Sequence, residues 1–316
     1  EAANRRWLEF HREALSKPVK AKPETTATVD VCITYFNKGR YFPQLLDALQ
    51  RQTTNRFGVI AVDDGSTDAS ARAVFDAMAD SYRERGWQFF RQANAYVDAA
   101  RNNAAARSQA DYLLFIDADD IPAPNTVERL MEAAAISGDD CLLSGGHLFA
   151  GEGAPERLLA RYLPLGPNLV AGLIDPIVFG LPMILIRRSV FTALGGYREM
   201  RGVAHEDWEL QARLLLAGYR TDVIPECLLY FRRLADGLAT TSEDYPAKHR
   251  LVDAYEEKLR ELGLHGAAGL IHTLDRRCRQ LEQALERQRE SVAPDKLRDR
   301  VRTMMARHRA EVPSKP

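Results

Sequence analysis

The chain has no CxxC pair: its four cysteines, Cys32, Cys141, Cys227 and Cys278, stand far apart. That spacing argues against a thiolate zinc site and a disulfide framework, and it fits a reducing compartment with each cysteine a small buried hydrophobe. Charge of one sign is also missing. The net charge is −1 over 316 residues, so the chain as a whole does not advertise nucleic-acid binding. No GxxxxGK[ST] segment occurs, which excludes a P-loop, and no GxGxxG follows the first predicted strand, which excludes the dinucleotide-binding fingerprint. A clean membrane span is absent too. The most apolar stretch, "LVAGLIDPIVFGLPMILI" at 169–186, carries Asp175, Pro176 and Pro182, which break a spanning helix. It reads as buried loop and strand in a soluble or peripheral protein. No secretory signal is visible, and the first residue is Glu1 rather than Met, which fits an excerpt of a longer chain.

What is present divides into three parts. Residues 1–27 read as a short helix, with Trp7, Leu8 and Phe10 near one face, and a linker with prolines, lysines and threonines. Residues 28–246 alternate apolar strands with amphipathic helices. Strands are expected at 29–36, 57–64, 87–92 and 111–120. Helices are expected at 42–52, 68–85 (with Asp68 as cap), 96–109 and 125–135. This order predicts an α/β fold, a mostly parallel sheet with helices on both faces. Residues 140–186 read as less regular, with Gly145, Gly146, Gly151, Gly153 and Gly166 marking loops. A strand and a short helix stopped by Gly195 and Gly196 follow, then a helix opening with "HEDWEL" and closed by Gly218. Residues 247–316 form a helical extension. In it Ile271, Leu274, Cys278, Leu281, Leu285, Gln288 and Val292 keep an alternating three-and-four spacing, a short coiled-coil-like seam. Over 272–316, Lys and Arg outnumber Asp and Glu by 12 to 7.

Ligands of such a sheet bind at the carboxyl ends of its strands. Three of those ends are polar here: Thr34 to Asn37, Asp63 with Asp64, and Asp117 to Asp120. A single aspartate at a strand end is as readily a helix cap or a solvated side chain. Several gathered at one edge repel each other unless a cation neutralises them. Oxygen-only ligands point to a hard divalent ion, Mn²⁺ or Mg²⁺, which keeps positions open for phosphate oxygens. The pattern therefore predicts a nucleotide diphosphate held with its metal.

The order of blocks resembles the family 2 glycosyltransferases, which have the GT-A (Rossmann-like) fold. The matching residues are "ITYFNKGRYFPQLLDALQRQT", "VIAVDDGSTD", "ARNNAAARSQADYLLFIDADDIPAP", "IRRSVFTALGGYRE" and "EDWELQARLLLAGYR", covering roughly 29–235. The resemblance implies an inverting transfer of a sugar from a nucleotide-diphosphate donor, most commonly a UDP-sugar in this family. The implied acceptor is a glycan or lipid-linked molecule of surface-polysaccharide synthesis. It places Thr34, Phe36 and Asn37 at the nucleoside, Asp64 at the base with Asp63 shaping the loop, and Arg101 at the base or diphosphate. Asp117 and Asp119 become the DxD motif, with Asp119 the preferred metal ligand, Asp117 at the ribose or the metal shell, and Asp120 in support. Glu206 and Asp207 become the ED motif of the catalytic site, with Asp207 the base. Trp208 lines the acceptor site or belongs to the core.

The pattern departs at two places. Leu234 stands where relatives carry a metal-touching His, so phosphate and water, or else His249, complete the metal shell. Arg232 and Arg233 are candidates to steady the diphosphate through their guanidinium forks, or else lie in a solvated loop. The QxxRW motif and membrane helices of the processive synthases are missing, which favours transfer of one sugar or a short series. The basic tail suits the anionic cytoplasmic face of an inner membrane and equally a solvated arm, and the seam suits self-association or packing within the chain. Two other readings stay open. One is a catalytically degenerate sugar-nucleotide-binding scaffold. The other is a nucleotidyltransferase, for which "TYFNKGRYFPQ" holds few of the expected glycines and basic residues.

Overall fold

Alternation along the first strand sets the layers. In β1 (Val29–Tyr35), Val31, Ile33 and Tyr35 point to one buried face and Cys32 to the other. A sheet with two apolar faces needs a helix layer on each. This computed structural model describes residues 26–164, 166–174, 176–234, 244–261 and 263, with a few separate positions between 273 and 287. In chain order the elements after β1 are α1 (Phe42–Gln50), β2 (Gly58–Asp63), α2 (Ala69–Tyr82), β3 (Gln88–Arg91), α3 (Tyr96–Arg107), β4 (Tyr112–Asp117) and β5 (Ile121–Pro122). Then come α4 (Thr126–Ser137), β6 (Cys141–Phe149), β7 (Leu158–Tyr162), α5 (Leu169–Ile174), β8 (Ile184–Arg187), α6 (Arg188–Ala193), α7 (Glu206–Leu216), β9 (Thr221–Arg232) and α8 (Asp244–Glu261).

The strands form one sheet in the order β3-β2-β1-β4-β8-β6-β9-β5, with β7 beside β6. β3, β2, β1 and β4 pair in parallel. β8 runs against both β4 and β6, and β6 is parallel to β9. Among the described residues, therefore, β1, β2, β3, β4, β6 and β9 all point one way, and the sheet is mostly parallel. Residues of α1, α2 and α4 (Leu45, Leu46, Phe75, Leu130) cover one face. Residues of α3, α6 and α7 (Ala100, Ala104, Phe191, Leu210) cover the other. Each fully buried Leu or Phe in these layers contributes about 1.5–3 kcal/mol relative to exposure. The predicted cap is present: the Asp68 carboxylate accepts a hydrogen bond from the Ser70 amide at 2.8 Å, a contact that stabilises α2 by about 1 kcal/mol.

Two stretches differ from the sequence expectation. Gly145 and Gly146 read as loop, yet they lie inside the nine-residue strand β6. A Cβ on Gly145 would sit 2.8 Å from the Tyr162 carbonyl, and one on Gly146 would sit 2.8 Å from that of Leu229. The register of β6 against β9 shifts at these residues. The glycines admit closely approaching backbone at a bulge rather than breaking the strand. The stretch at 169–186, expected as loop and strand, begins with the short helix α5 and a 3₁₀ turn at Pro176–Phe179 before β8. Among the described residues no helix is long and apolar enough to cross a membrane.

The chain divides into two compact units, Glu1–Tyr255 and Glu256–Pro316. The helix expected within residues 1–16 lies outside the described residues. So does the seam at 271–292 apart from Leu281, which is helical and exposed. Cys32 and Cys141 are free and buried as expected, and Cys227 is half-buried. Burial pushes the Cys32 and Cys141 thiols up.

Candidate active site

The carboxyl ends of β1, β2 and β4 are adjacent because these strands pair directly, Thr34 opposite Asp117 and Tyr35 opposite Asp63. Past β1 the backbone enters the left-handed region at Asn37 (φ 53°). Its side-chain oxygen accepts from the Thr67 and Asp68 amides, both at 2.9 Å, and its amide group donates to the Thr67 hydroxyl at 3.0 Å. The Asn37 backbone amide donates to the Ser66 hydroxyl at 2.9 Å. The carboxamide is thus committed to fastening the β1 loop to the β2 loop. Phe36 beside it is 40% exposed at the rim.

The two aspartates of "VDDGS" have different work. Asp63 is fully buried and accepts from the Ser66 amide at 2.9 Å and from Arg91 Nε at 2.8 Å. It shapes the loop. Asp64 Oδ1 accepts from the Ala95 amide and Gln92 Nε2, each at 2.8 Å. Gln92 is in turn bonded by Asn103 of "ARNN". Burial raises the Asp64 carboxyl above its usual range against these bonds. Gly65 closes the loop at φ +69°, where a Cβ would stand 2.6 Å from the Asn94 amide nitrogen. Only glycine fits there without moving backbone.

The three aspartates after β4 are not equivalent. Asp117 Oδ1 accepts from Thr34 Oγ1 at 3.3 Å and from Arg101 Nη2 at 2.7 Å. Asp119 Oδ2 lies 2.8 Å from Lys38 Nζ. Asp120 is buried and accepts from the Arg232 amide at 2.9 Å. Burial first, then Asp119 and Asp117, push the Asp120 carboxyl well above the usual range. Arg232, a sequence candidate for the diphosphate, is instead a brace. Its guanidinium donates to the carbonyls of Asp119, Gly151 and Gly153 and to Gln44 Oε1, between the rings of Tyr41 and Phe149. With its donors directed to protein oxygens, it fixes the DADD loop to its neighbours. Arg233 remains an exposed residue beside it.

Arg101 is the link between the two acidic motifs. It is not a surface helix residue: at 2% exposure it joins Asp117 to Glu206, donating from Nη1 to Glu206 Oε1 at 2.6 Å. One guanidinium therefore spans the end of β4 and the start of α7. The neighbouring Asp207 is 9% exposed, and its carboxyl is raised from 3.8 to about 7. Burial is the main cause and the adjacent Glu206 the second, opposed by Arg101. A carboxylate so tuned exchanges protons near neutral pH. His205 enters α7 in the left-handed region (φ 69°) and stacks on Trp208 at 4.0 Å, while the Trp208 indole donates to the Gly180 carbonyl at 3.2 Å. Trp208 is thus fixed in orientation beside Asp207.

Three supporting groups went unassigned in the sequence. Asn102 holds the turn after α6, bonding both the amide and the carbonyl of Tyr197 at 2.9 and 2.8 Å. Glu209 and Arg213 form a buried two-pronged pair at 2.6 and 3.0 Å. Their four-residue spacing on a predicted helix was the available signal. Arg250 of α8 donates to Asp98 Oδ2 at 3.0 Å and to the carbonyls of Arg198 and Val203. It thereby ties down the segment that leads into Glu206, although the sequence assigned residues from 247 onward to a separate extension.

The donors suited to a divalent ion are Asp119 and Asp117. Both hydrogen bonds to Asp117 fall on Oδ1, and Asp119 is countered by a lysine rather than a fixed arginine fork. Among the described residues no three His, Cys, Asp or Glu side chains converge to hold a metal, so His249 does not join the aspartates in such a cage. This set fits an ion that arrives with phosphate oxygens of its own, and does not fit a cage for a bare ion.

The class follows from the direction of the sheet. Its carboxyl ends carry the acids, and the acidic start of α7 meets them through Arg101. The chain belongs to glycosyl transferase family 2, which matches residues 30–195. A relative in Haemophilus influenzae, an uncharacterized glycosyltransferase, is 27% identical over 191 residues, 59% of this chain and 62% of the relative. A teichoic acid poly(glycerol phosphate) polymerase of Staphylococcus epidermidis is 29% identical over 119 residues, 38% of this chain and 16% of the polymerase. The chain thus spans less than two thirds of the length of either relative. Among solved structures, S. aureus TarS 1–349 in complex with UDP-GlcNAc superposes with a TM-score of 0.55 at 18% identity, covering 74% of this chain and 73% of that one. That likeness concerns the fold.

Proposed function

We propose that this chain is an inverting, metal-dependent glycosyltransferase that moves a sugar from a nucleoside-diphosphate donor, a UDP-sugar, to a hydroxyl of a glycan or lipid-linked acceptor in surface-polysaccharide synthesis. The observation that carries the reading is Arg101, which brings the DxD residue Asp117 and the ED residue Glu206 onto one buried guanidinium. Donor and base sides are then one site. Asp64 and Thr34 face the nucleoside side, with Phe36 at its rim. Asn37 acts by holding the two loops in register. Asp119 and Asp117 would hold a Mn²⁺ or Mg²⁺, which would supply positive charge against the departing diphosphate. Asp207 takes the proton of the acceptor hydroxyl as its oxygen attacks the anomeric carbon from the side opposite the leaving group. The solved TarS complex supports uridine as the base, and the teichoic acid relative supports a surface polymer as the setting. The buried free thiols of Cys32 and Cys141 fit a reducing, cytoplasmic site of action.

The test is equilibrium binding of UDP in Mn²⁺ and in EDTA, to the wild type and to Asp119→Ala. Mn²⁺ is expected to tighten UDP binding to the wild type by about tenfold or more, and to leave the variant at its EDTA affinity. Equal affinity of the wild type in Mn²⁺ and EDTA would remove metal dependence from the reading.

A further inference from the structure

Lys38 has a position that the site's assigned roles do not use. Its backbone is fixed on both sides. Asn37 before it is bonded to Ser66, Thr67 and Asp68, and the Lys38 carbonyl accepts from the Tyr41 and Phe42 amides at 2.9 and 3.0 Å as α1 begins. From this anchored point the side chain reaches across to β4 and places Nζ 2.8 Å from Asp119 Oδ2. Asp119 is anchored as well, its carbonyl held by Arg232 Nε at 2.8 Å. Two rigid loops therefore meet through one flexible side chain. The two side chains are 25% and 18% exposed, so the pair is open to solvent and to a ligand. The contrast with Arg101 is chemical. A guanidinium buried against two carboxylates is a fixed strut, whereas an ammonium on a four-carbon stem is a mobile point charge that binds phosphate as readily as carboxylate.

We infer that Lys38 is an exchangeable counter-ion. It neutralises Asp119 while the site is free of donor, yields that carboxylate to the divalent ion, and passes to phosphate oxygens of the nucleotide that arrives with it. The inference rests on the metal-dependent reading above. It accounts for a site with two usable carboxylates and no three-ligand cage among the described residues: the protein's own cation fills the charge gap until the metal–nucleotide complex replaces it. The consequence is coupling. A divalent ion alone must displace Lys38 and binds weakly. A diphosphate offers Lys38 a new partner, so nucleotide strengthens metal binding, and by linkage metal strengthens nucleotide binding equally.

The experiment is a Mn²⁺ titration followed by the electron paramagnetic resonance signal of the free ion, with and without UDP. It compares the wild type, Lys38→Gln and Lys38→Arg. Lys38→Gln is expected to bind Mn²⁺ alone about fivefold more tightly, the size expected for an accessible ion pair removed. It is also expected to bind UDP in EDTA more weakly and to show a smaller enhancement of Mn²⁺ binding by UDP. Lys38→Arg keeps the cation, so its affinity for Mn²⁺ alone should stay at or below that of the wild type. Equal affinity of the wild type and Lys38→Gln for Mn²⁺ alone, with the enhancement by UDP unchanged, would overturn the exchange and leave metal dependence standing. Failure of all three proteins to bind Mn²⁺, with or without UDP, would overturn the metal reading and the exchange together.

Discussion

Asp207→Asn is expected to lower kcat by about 10²–10⁴-fold, the usual worth of a positioned general base, while leaving the donor affinity within about twofold, since binding of the donor makes no use of that proton transfer. The substitution keeps the shape of the side chain and removes its capacity to accept a proton. In the wild type, kcat/KM should rise with pH through about 7, where Asp207 loses its proton. Stability should show the opposite sign. The folded protein holds this proton up to about 7, whereas the unfolded chain releases it near 3.8. The ionised carboxylate therefore destabilises the fold, and the penalty grows as pH rises from about 4 to 7. Removing it in Asp207→Asn should raise the free energy of unfolding at pH 8 by up to about 4 kcal/mol, a gain that shrinks to nothing toward pH 4. Urea denaturation at both ends of this range, beside steady-state kinetics, reads the two effects separately. A variant with full activity would remove Asp207 from the base role.

Arg101→Met is the second large effect. The substitution leaves the part-exposed Asp117 and the buried Glu206 without the buried cation that joins them. Stranding a buried partner such as Glu206 in this way costs about 3–5 kcal/mol, so a marked fall in the urea midpoint is expected. Activity should fall further than unfolding explains, because the same change unfastens the donor side from the base side. Arg101 also holds the Asp207 carboxyl down, so any residual activity should shift to higher pH. Lys is a poor replacement, since one ammonium cannot present two separated donors along a planar fork. Arg101→Lys is expected to recover stability in part and kcat little. Wild-type stability in Arg101→Met would show that the two carboxylates do not depend on it.

How much of this was legible in the sequence depended on distance along the chain. The strands β1, β2 and β4 end apolar runs in polar residues, a pattern that is local and visible, and their parallel pairing followed from the alternation with helices. β6 was hidden because "SGGH" reads as a turn. Its glycines answer to the Tyr162 and Leu229 carbonyls of neighbouring strands, which no local window contains. The acids of the site were visible as residue types but not as an arrangement. The acids at the start of α7 were expected from the helical pattern, whereas Asp63 as loop former, Asp120 as support and the catalytic role of the ED pair were expected through resemblance. The arginines were the weak point. Arg101, Arg232 and Arg250 are all buried, and each takes its role from partners that folding supplies. The Arg250–Asp98 pair is separated by 152 residues. Sequence composition treats an arginine as surface by default, and a buried guanidinium is recognised only once its carboxylates and carbonyls are in place.

The most direct measurement of the central claim is release of nucleoside diphosphate from a panel of nucleotide sugars, UDP-sugars first, by the wild-type chain in Mn²⁺ and in EDTA. The account predicts release with at least one donor in Mn²⁺, its loss in EDTA, and its loss in Asp119→Ala. Release that continues undiminished in EDTA and in Asp119→Ala would contradict the proposal that these strand-end carboxylates hold a metal and a sugar nucleotide for transfer.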